Sequence, residues 1–208
     1  MVQARPKKKK QRAFLLTFEG TEGAGKSTLI RELRGLMTSQ GLECETTREP
    51  GGSQVAEQIR KVILENPMAP WTELFLYEAS RAEHLAKTIR PALAAGKIVL
   101  CDRFTDSSLA YQAHARGLPW KDVELLNRIA TQGLKPDLTV FLDIDPAVGL
   151  GRASDKNRFE AEGLAFQKKV RAGFQRARRA DPKRWLVLKP AAPDLLARKV
   201  LEEYQKRG

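Results

Sequence analysis

Short apolar runs alternate with longer amphipathic stretches along nearly the whole chain. The runs at 13–18, 42–47, 97–102, 137–143 and 184–188 have the length and the β-branched, leucine and aromatic content of strands. Ile98-Val99-Leu100-Cys101 and Leu138-Thr139-Val140-Phe141-Leu142 are almost continuously apolar, the pattern of strands covered on both faces in a parallel sheet. Helical periodicity fills 27–40, 54–65, 71–95, 105–114, 121–132, 146–153, 160–179 and 194–206. Pro67, Pro70, Pro91, Pro119, Pro136, Pro146 and Pro182 punctuate these stretches as breakers or first-turn residues. The alternation predicts one α/β domain over 13–208, a doubly wound, five-stranded parallel sheet with helices on both faces. In such a sheet ligands bind outside the carboxyl ends of the strands.

The turn after the first strand carries specific chemistry. Gly20-Thr21-Glu22-Gly23-Ala24-Gly25-Lys26-Ser27 has the spacing G-x-x-x-x-G-K-S, with a strand before it and a helix beginning near Thr28. Glycines let backbone N–H groups turn inward around phosphate, Lys26 reaches the β and γ oxygens, and Ser27 can offer a hydroxyl to Mg²⁺. The following helix points its positive end at the anion. The chain therefore binds a nucleoside triphosphate.

Composition refines this only a little. The 208 residues carry a formal charge of +12, of which Arg5, Lys7, Lys8, Lys9, Lys10 and Arg12 contribute half. The segment 1–12 holds no acid and reads as a disordered, solvated arm that could bind nucleic acid weakly. The remaining surplus suits anionic small substrates and does not require nucleic acid. Neither a secretory signal, an organellar transit peptide nor a membrane span is predicted, which points to a cytoplasmic protein. Cys44 and Cys101 read as free thiols, and His84 and His114 lack metal-ligand spacing.

Three other strand ends bear polar clusters: Arg48-Glu49-Pro50-Gly51-Gly52, Asp102-Arg103-Phe104, and Asp143 ahead of Pro146. Phosphoryl transfer needs positioning and charge neutralisation more than covalent chemistry. Asp102 is the best-placed carboxylate for Mg²⁺, or else a cap for the next helix; Asp143 is the weaker candidate. Arg48 and Arg103 suit an acceptor phosphate, because guanidinium groups grip phosphate bidentately. Glu22, a carboxylate inside the phosphate loop, either faces an acceptor hydroxyl or is a solvated loop residue. The loop holds no arginine for the charge that develops on the γ-phosphoryl oxygens. The stretch from Arg152 to Arg158 offers Arg152, Lys156 and Arg158, and reads as a lid at about 152–160 or as a solvated turn.

Taken together these motifs resemble the thymidylate kinase family. The likeness runs from about Phe14 to the C-terminus and rests on the loop Phe18–Ser27, Thr47-Arg48-Glu49-Pro50-Gly51-Gly52, Asp102-Arg103-Phe104 with Asp106 to Gln112, and Pro136 to Asp143. The resemblance implies phosphorylation of dTMP to dTDP with ATP and Mg²⁺ on a P-loop nucleoside-monophosphate-kinase fold, in a homodimer. It implies that Tyr77 stacks on thymine, that Arg81 and Gln112 contact the base beside Ser108, and that Arg48 and Arg103 hold the dTMP phosphate. Without it, Tyr77 reads equally as a core residue. One branch of the family carries its catalytic arginine in the phosphate loop, where this chain has Gly23. The chain is thus similar to the bacterial branch with a lid arginine, Arg158 or Arg152, although Asn157 stands where that branch has aspartate. Two other readings remain: a deoxynucleoside kinase on the same scaffold, and a P-loop protein whose basic arm engages nucleic acid.

Overall fold

In the computed structural model, which describes residues 11–152 and 162–207, the apolar runs form one parallel sheet. Its strands are β1 (Phe14–Glu19), β2 (Cys44–Arg48), β3 (Ile98–Asp102), β4 (Leu138–Leu142) and β5 (Trp185–Leu188). They lie in the order β2-β3-β1-β4-β5. The three inner strands, β1 and the two continuously apolar runs β3 and β4, are buried from end to end, save half-buried Asp102 at the last position of β3. Both edge strands, each with a neighbouring strand on one side alone, are only partly buried. Register aligns the carboxyl ends: Asp102 sits opposite both Phe18 and Arg48.

Helices α1 (Lys26–Ser39) and α9 (Pro193–Arg207) cover one face of the sheet, where Leu29, Leu33, Met37, Val200 and Tyr204 pack on Phe14, Leu16 and Val140. Elsewhere α8 (Gly163–Ala180) places Val170 and Phe174 against Phe141 and Trp185. Each fully buried side chain of this kind stabilises the fold by about 1.5–3 kcal/mol. Helix α3 (Pro70–His84) packs against both α2 (Gln54–Glu65) and α6 (Trp120–Ala130). Two helices expected to be regular are not. A wide π-type stretch, Leu85–Ile89, joins α3 to α4 (Arg90–Ala94), and another, Leu109–Ala115, extends α5 (Thr105–Ser108). Wide turns of this kind are rare and recur at functional sites; the second one carries Tyr111 and Gln112.

The end of the expected arm lies against the domain. The Gln11 amide donates to the carbonyls of Glu43 and Gly96 and accepts from Glu43 N, while Arg12 pairs with Asp137. Residues 1–10 lie outside the described residues. Both cysteines are free, Cys101 buried and Cys44 half-buried. No helix among the described residues is long and apolar enough to cross a membrane.

Candidate active site

Two cavities open at the carboxyl ends of the strands. The larger, about 930 Å³, is lined by the phosphate loop from Glu22 to Leu29, by Arg48, Asp102 and Arg152, and by Lys189, Pro190 and Ala191 after β5. The narrower, about 80 Å³, is lined by Tyr77, Arg81, Ser108, Tyr111 and Gln112. Glu22, Glu49, Arg60 and Arg103 line both. The cavities therefore meet where two phosphate chains would approach one another.

On the donor side, Gly25 caps α1 at φ 91°, a left-handed conformation that glycine adopts without cost. Among the described residues no side chain caps this terminus and no acid lies in its first turn, an arrangement that suits an anion at the first amides of α1. Lys26 is buried; desolvation and the Arg103 charge lower its pKa, while Asp102 and Glu22 oppose them. Thr21 is also buried, and its hydroxyl oxygen has no hydrogen-bond partner among the described residues. Thr28 lies on the first turn of α1.

The Ser27 hydroxyl donates to Asp102 Oδ2 at 3.3 Å. The other oxygen, Oδ1, is buried without a hydrogen-bond partner among the described residues, and Lys26 Nζ stands 3.9 Å from it. A hard oxygen donor left open beside a serine hydroxyl fits Mg²⁺, which takes one or two carboxylates or hydroxyls and fills its remaining positions with water and phosphate oxygens. Asp143 does not share this place. Arg171 and Lys189 take its two oxygens, each at 2.6 Å, so the weaker metal candidate serves instead to anchor α8 and the β5–α9 loop.

At the junction, Glu22 accepts from Arg103 Nη2 at 2.8 Å and from the Tyr111 hydroxyl at 2.9 Å. Burial would raise the Glu22 pKa, but Arg103, Lys26 and Tyr111 together hold it below the ordinary carboxylate value. Glu22 is thus not a solvated loop residue. Arg103 has φ 69°, a strained backbone for a side-chain-bearing residue, and its guanidinium also donates to Gly20 O and Ser107 Oγ. Arg48 is exposed, donates through Nη2 to both Glu57 carboxylate oxygens, and lines the larger cavity.

Arg81 is 1 % exposed and heavily engaged. Its Nε donates to Glu49, Nη1 to Glu78, Ser108 and Asn127, and Nη2 to the Phe104 carbonyl. Of its five N–H groups, only one on Nη2 is left for the cavity. Ser108, likewise buried, acts here as a support for Arg81. Tyr77 is half-buried, packs against the apolar cluster that holds Phe141 and Phe174, and lines the narrow cavity.

Several site residues escaped the sequence reading. Glu19, the last residue of β1, is buried and accepts from Phe104 N and Ser107 Oγ; burial first, and Asp106 next, push its pKa up to about 8. An acid ending a buried strand directly before the loop was the available signal. Tyr111 sat inside a quoted motif, but Arg60, on an amphipathic helix, carried none. Arg152 is exposed at the end of α7 (Pro146–Arg152) and lines the larger cavity. Arg158 and the rest of the expected lid from 153 to 160 fall outside the described residues.

Comparison with known proteins agrees with this geometry. The family model described as thymidylate kinase matches residues 18–198. A thymidylate kinase of Synechococcus sp. (strain JA-2-3B'a(2-13)) is 48 % identical over 172 residues, covering 82 % of this chain and 84 % of its own. One from Solidesulfovibrio magneticus is 45 % identical over 201 residues, covering 90 % and 96 %. The crystal structure of thymidylate kinase from Ehrlichia chaffeensis superposes with a TM-score of 0.79 at 28 % identity, covering 93 % of this chain and all of that one. Family model, relatives and fold coincide, and the chain belongs to the thymidylate kinase family of P-loop nucleoside-monophosphate kinases.

Proposed function

We propose that the protein transfers the γ-phosphoryl group of ATP to the 5′-phosphate of dTMP, giving dTDP and ADP. The observation that carries this reading is the meeting of the two cavities at Glu22, Glu49, Arg60 and Arg103, with the phosphate loop on one side and Tyr77, Arg81 and Gln112 on the other. In it, the loop amides and Lys26 hold the β- and γ-phosphates. Arg48 and Arg103 bring the dTMP phosphate in line, so that one of its oxygens attacks the γ-phosphorus as the bond to the β-bridging oxygen breaks. Thymine lies in the narrow cavity against Tyr77. Glu22 leaves part of its hold on Arg103 to the incoming nucleotide and meets the acceptor sugar. Arg152 or Arg158 supplies the positive charge at the γ-phosphoryl oxygens that the loop lacks. Ser27 and Asp102 would hold Mg²⁺, which would supply positive charge to offset that of the phosphates.

A homodimer working in the cytoplasm completes the reading. Its support is apolar: Val55 and Val62 on α2, Trp71 and Phe75 on α3, and Leu125 and Ile129 on α6 are exposed, and Trp71 stacks on Phe75 at 5.8 Å. These helices neighbour one another, α3 packing against both α2 and α6, and a second copy of the chain seated on them would cover these side chains.

The deciding experiment measures ATP-dependent turnover of dTMP, dUMP, thymidine, AMP and CMP side by side. Highest kcat/KM with dTMP is expected. Faster turnover of thymidine would assign the chain to nucleoside kinases instead. A DNA-stimulated ATPase indifferent to dTMP, losing its response when residues 1–12 are removed, would favour the nucleic-acid reading.

A further inference from the structure

Gln112 is 2 % exposed and lines the narrow cavity, where its amide can turn either of two unlike ends to a ligand. Its Nε2 donates to Glu73 Oε1 at 2.8 Å. Glu73, on the first turn of α3, is 1 % exposed and belongs to none of the motifs above. An ionised carboxylate accepts hydrogen bonds and donates none, so the Gln112 NH₂ must face Glu73 and its carbonyl oxygen must face the cavity. Among the described residues no group donates to that oxygen. A buried carboxylate keeps its charge only beside a compensating cation. Arg116, near the end of the same wide-turned segment, is that cation: Nε and Nη2 reach the two Glu73 oxygens at 3.4 and 3.3 Å. Arg116 is itself fixed by Glu162 at 2.6 Å and by lying over the Phe166 ring at 4.6 Å.

We infer that Glu73 and Arg116 are specificity-determining positioning residues, which lock the Gln112 amide so that the acceptor nucleotide meets a hydrogen-bond acceptor. This rests on the assignment of the narrow cavity to the nucleotide base. A base whose ring nitrogen at that edge carries hydrogen, as N3 of thymine and uracil does, is matched; cytosine, whose N3 is an acceptor, is opposed. Neither residue touches substrate. They act through Gln112 alone, by fixing which end of a symmetric-looking group is presented.

The test is Glu73→Gln, nearly unchanged in shape but able to donate. Arg116 only donates, so it draws the new carbonyl to itself and leaves the new NH₂ facing Gln112, which must then flip. Expected is a fall of about ten-fold or more in the ratio of kcat/KM for dTMP to that for dCMP, with KM for ATP unchanged. Arg116→Gln should move the ratio the same way by a smaller factor, and it is read in place of the first variant should that one fail to fold. In a Gln112→Leu background, Glu73→Gln should leave the ratio where Gln112→Leu alone puts it. An unchanged ratio with equal loss on both nucleotides overturns the inference, as does a further change in the Gln112→Leu background. Wild-type protein that fails to prefer dTMP to dCMP would instead overturn the base assignment on which it rests.

Discussion

Gly23 at the tip of the phosphate loop and Gly149 in α7 press backbone against backbone: a Cβ on either would run into a carbonyl oxygen of the other segment, that of Gly149 or of Glu22. Gly23 has φ 66° as well, so both conformation and space demand glycine there. The contact gives the glycine at position 23 its physical reason: a side chain there has no room while α7 lies where it does.

Gly23→Ala should therefore cost about 1–3 kcal/mol through forced displacement of the loop from α7. The expected outcome is an ATP affinity at least about ten-fold weaker, with dTMP binding retained, measured by calorimetric titration of each nucleotide. Unchanged ATP affinity would mean that α7 yields freely.

Asp102→Asn tests the metal-binding assignment. The substitution keeps the partner for the Ser27 hydroxyl but removes the charge at Oδ1, which has no hydrogen-bond partner among the described residues and lies 3.9 Å from Lys26 Nζ. Turnover titrated against free Mg²⁺ should require about ten-fold more metal for half-maximal rate, while KM for dTMP stays within about two-fold. Coincident Mg²⁺ curves for variant and wild type would remove Asp102 from the metal's ligands.

Glu19 ties stability to pH. Its folded pKa of about 8 lies above the ordinary glutamate value of 4.5, so between these values the folded protein holds a proton that the unfolded chain releases. Stability contributed by this group is present below the unfolded pKa and is lost as pH rises through the folded one. Urea unfolding should show wild type losing on the order of a few kcal/mol more than Glu19→Gln between pH 5 and pH 8.5. A wild type that gains stability relative to the variant over that range would contradict the sign.

The lid arginine is separable by kinetics. Arg158→Ala should lower kcat by about two decades with little change in ATP affinity, because a charge delivered to the γ-phosphoryl group acts mainly in the transition state. If Arg152→Ala carries that loss and Arg158→Ala does not, the residue at the end of α7 is the one that acts.

Introducing charge on the apolar wall tests the dimer. Phe75→Glu and Ile129→Glu each place a carboxylate on the exposed face of α3 and α6. Sedimentation velocity should find each variant monomeric at concentrations where wild type is a dimer. A monomeric wild type would dispose of the homodimer.

What could be read from the chain alone was what is local. The phosphate loop spans eight consecutive residues, Gly20 to Ser27, and its amides, lysine and hydroxyl act within one turn, so spacing suffices to name the chemistry. Continuous apolar runs marked β3 and β4 as inner strands for the same reason, since burial on both faces is written into every position. Pairings between distant segments were not legible. Glu22 meets Arg103 across 81 residues, and Gln112 meets Glu73 across 39. Only the alignment of strand ends and the wide turn after Ser108 bring those groups within hydrogen-bonding distance. Asp143 shows the limit most plainly. Its strand-end position matched that of Asp102, yet packing gave it Arg171 and Lys189 as partners, while an oxygen of Asp102 was left open beside the phosphate loop. Residue type and spacing determined which chemistry this protein could perform; the folded sheet decided which of two similar carboxylates is free to perform it, because a carboxylate already neutralised by two cations has little left to offer a metal.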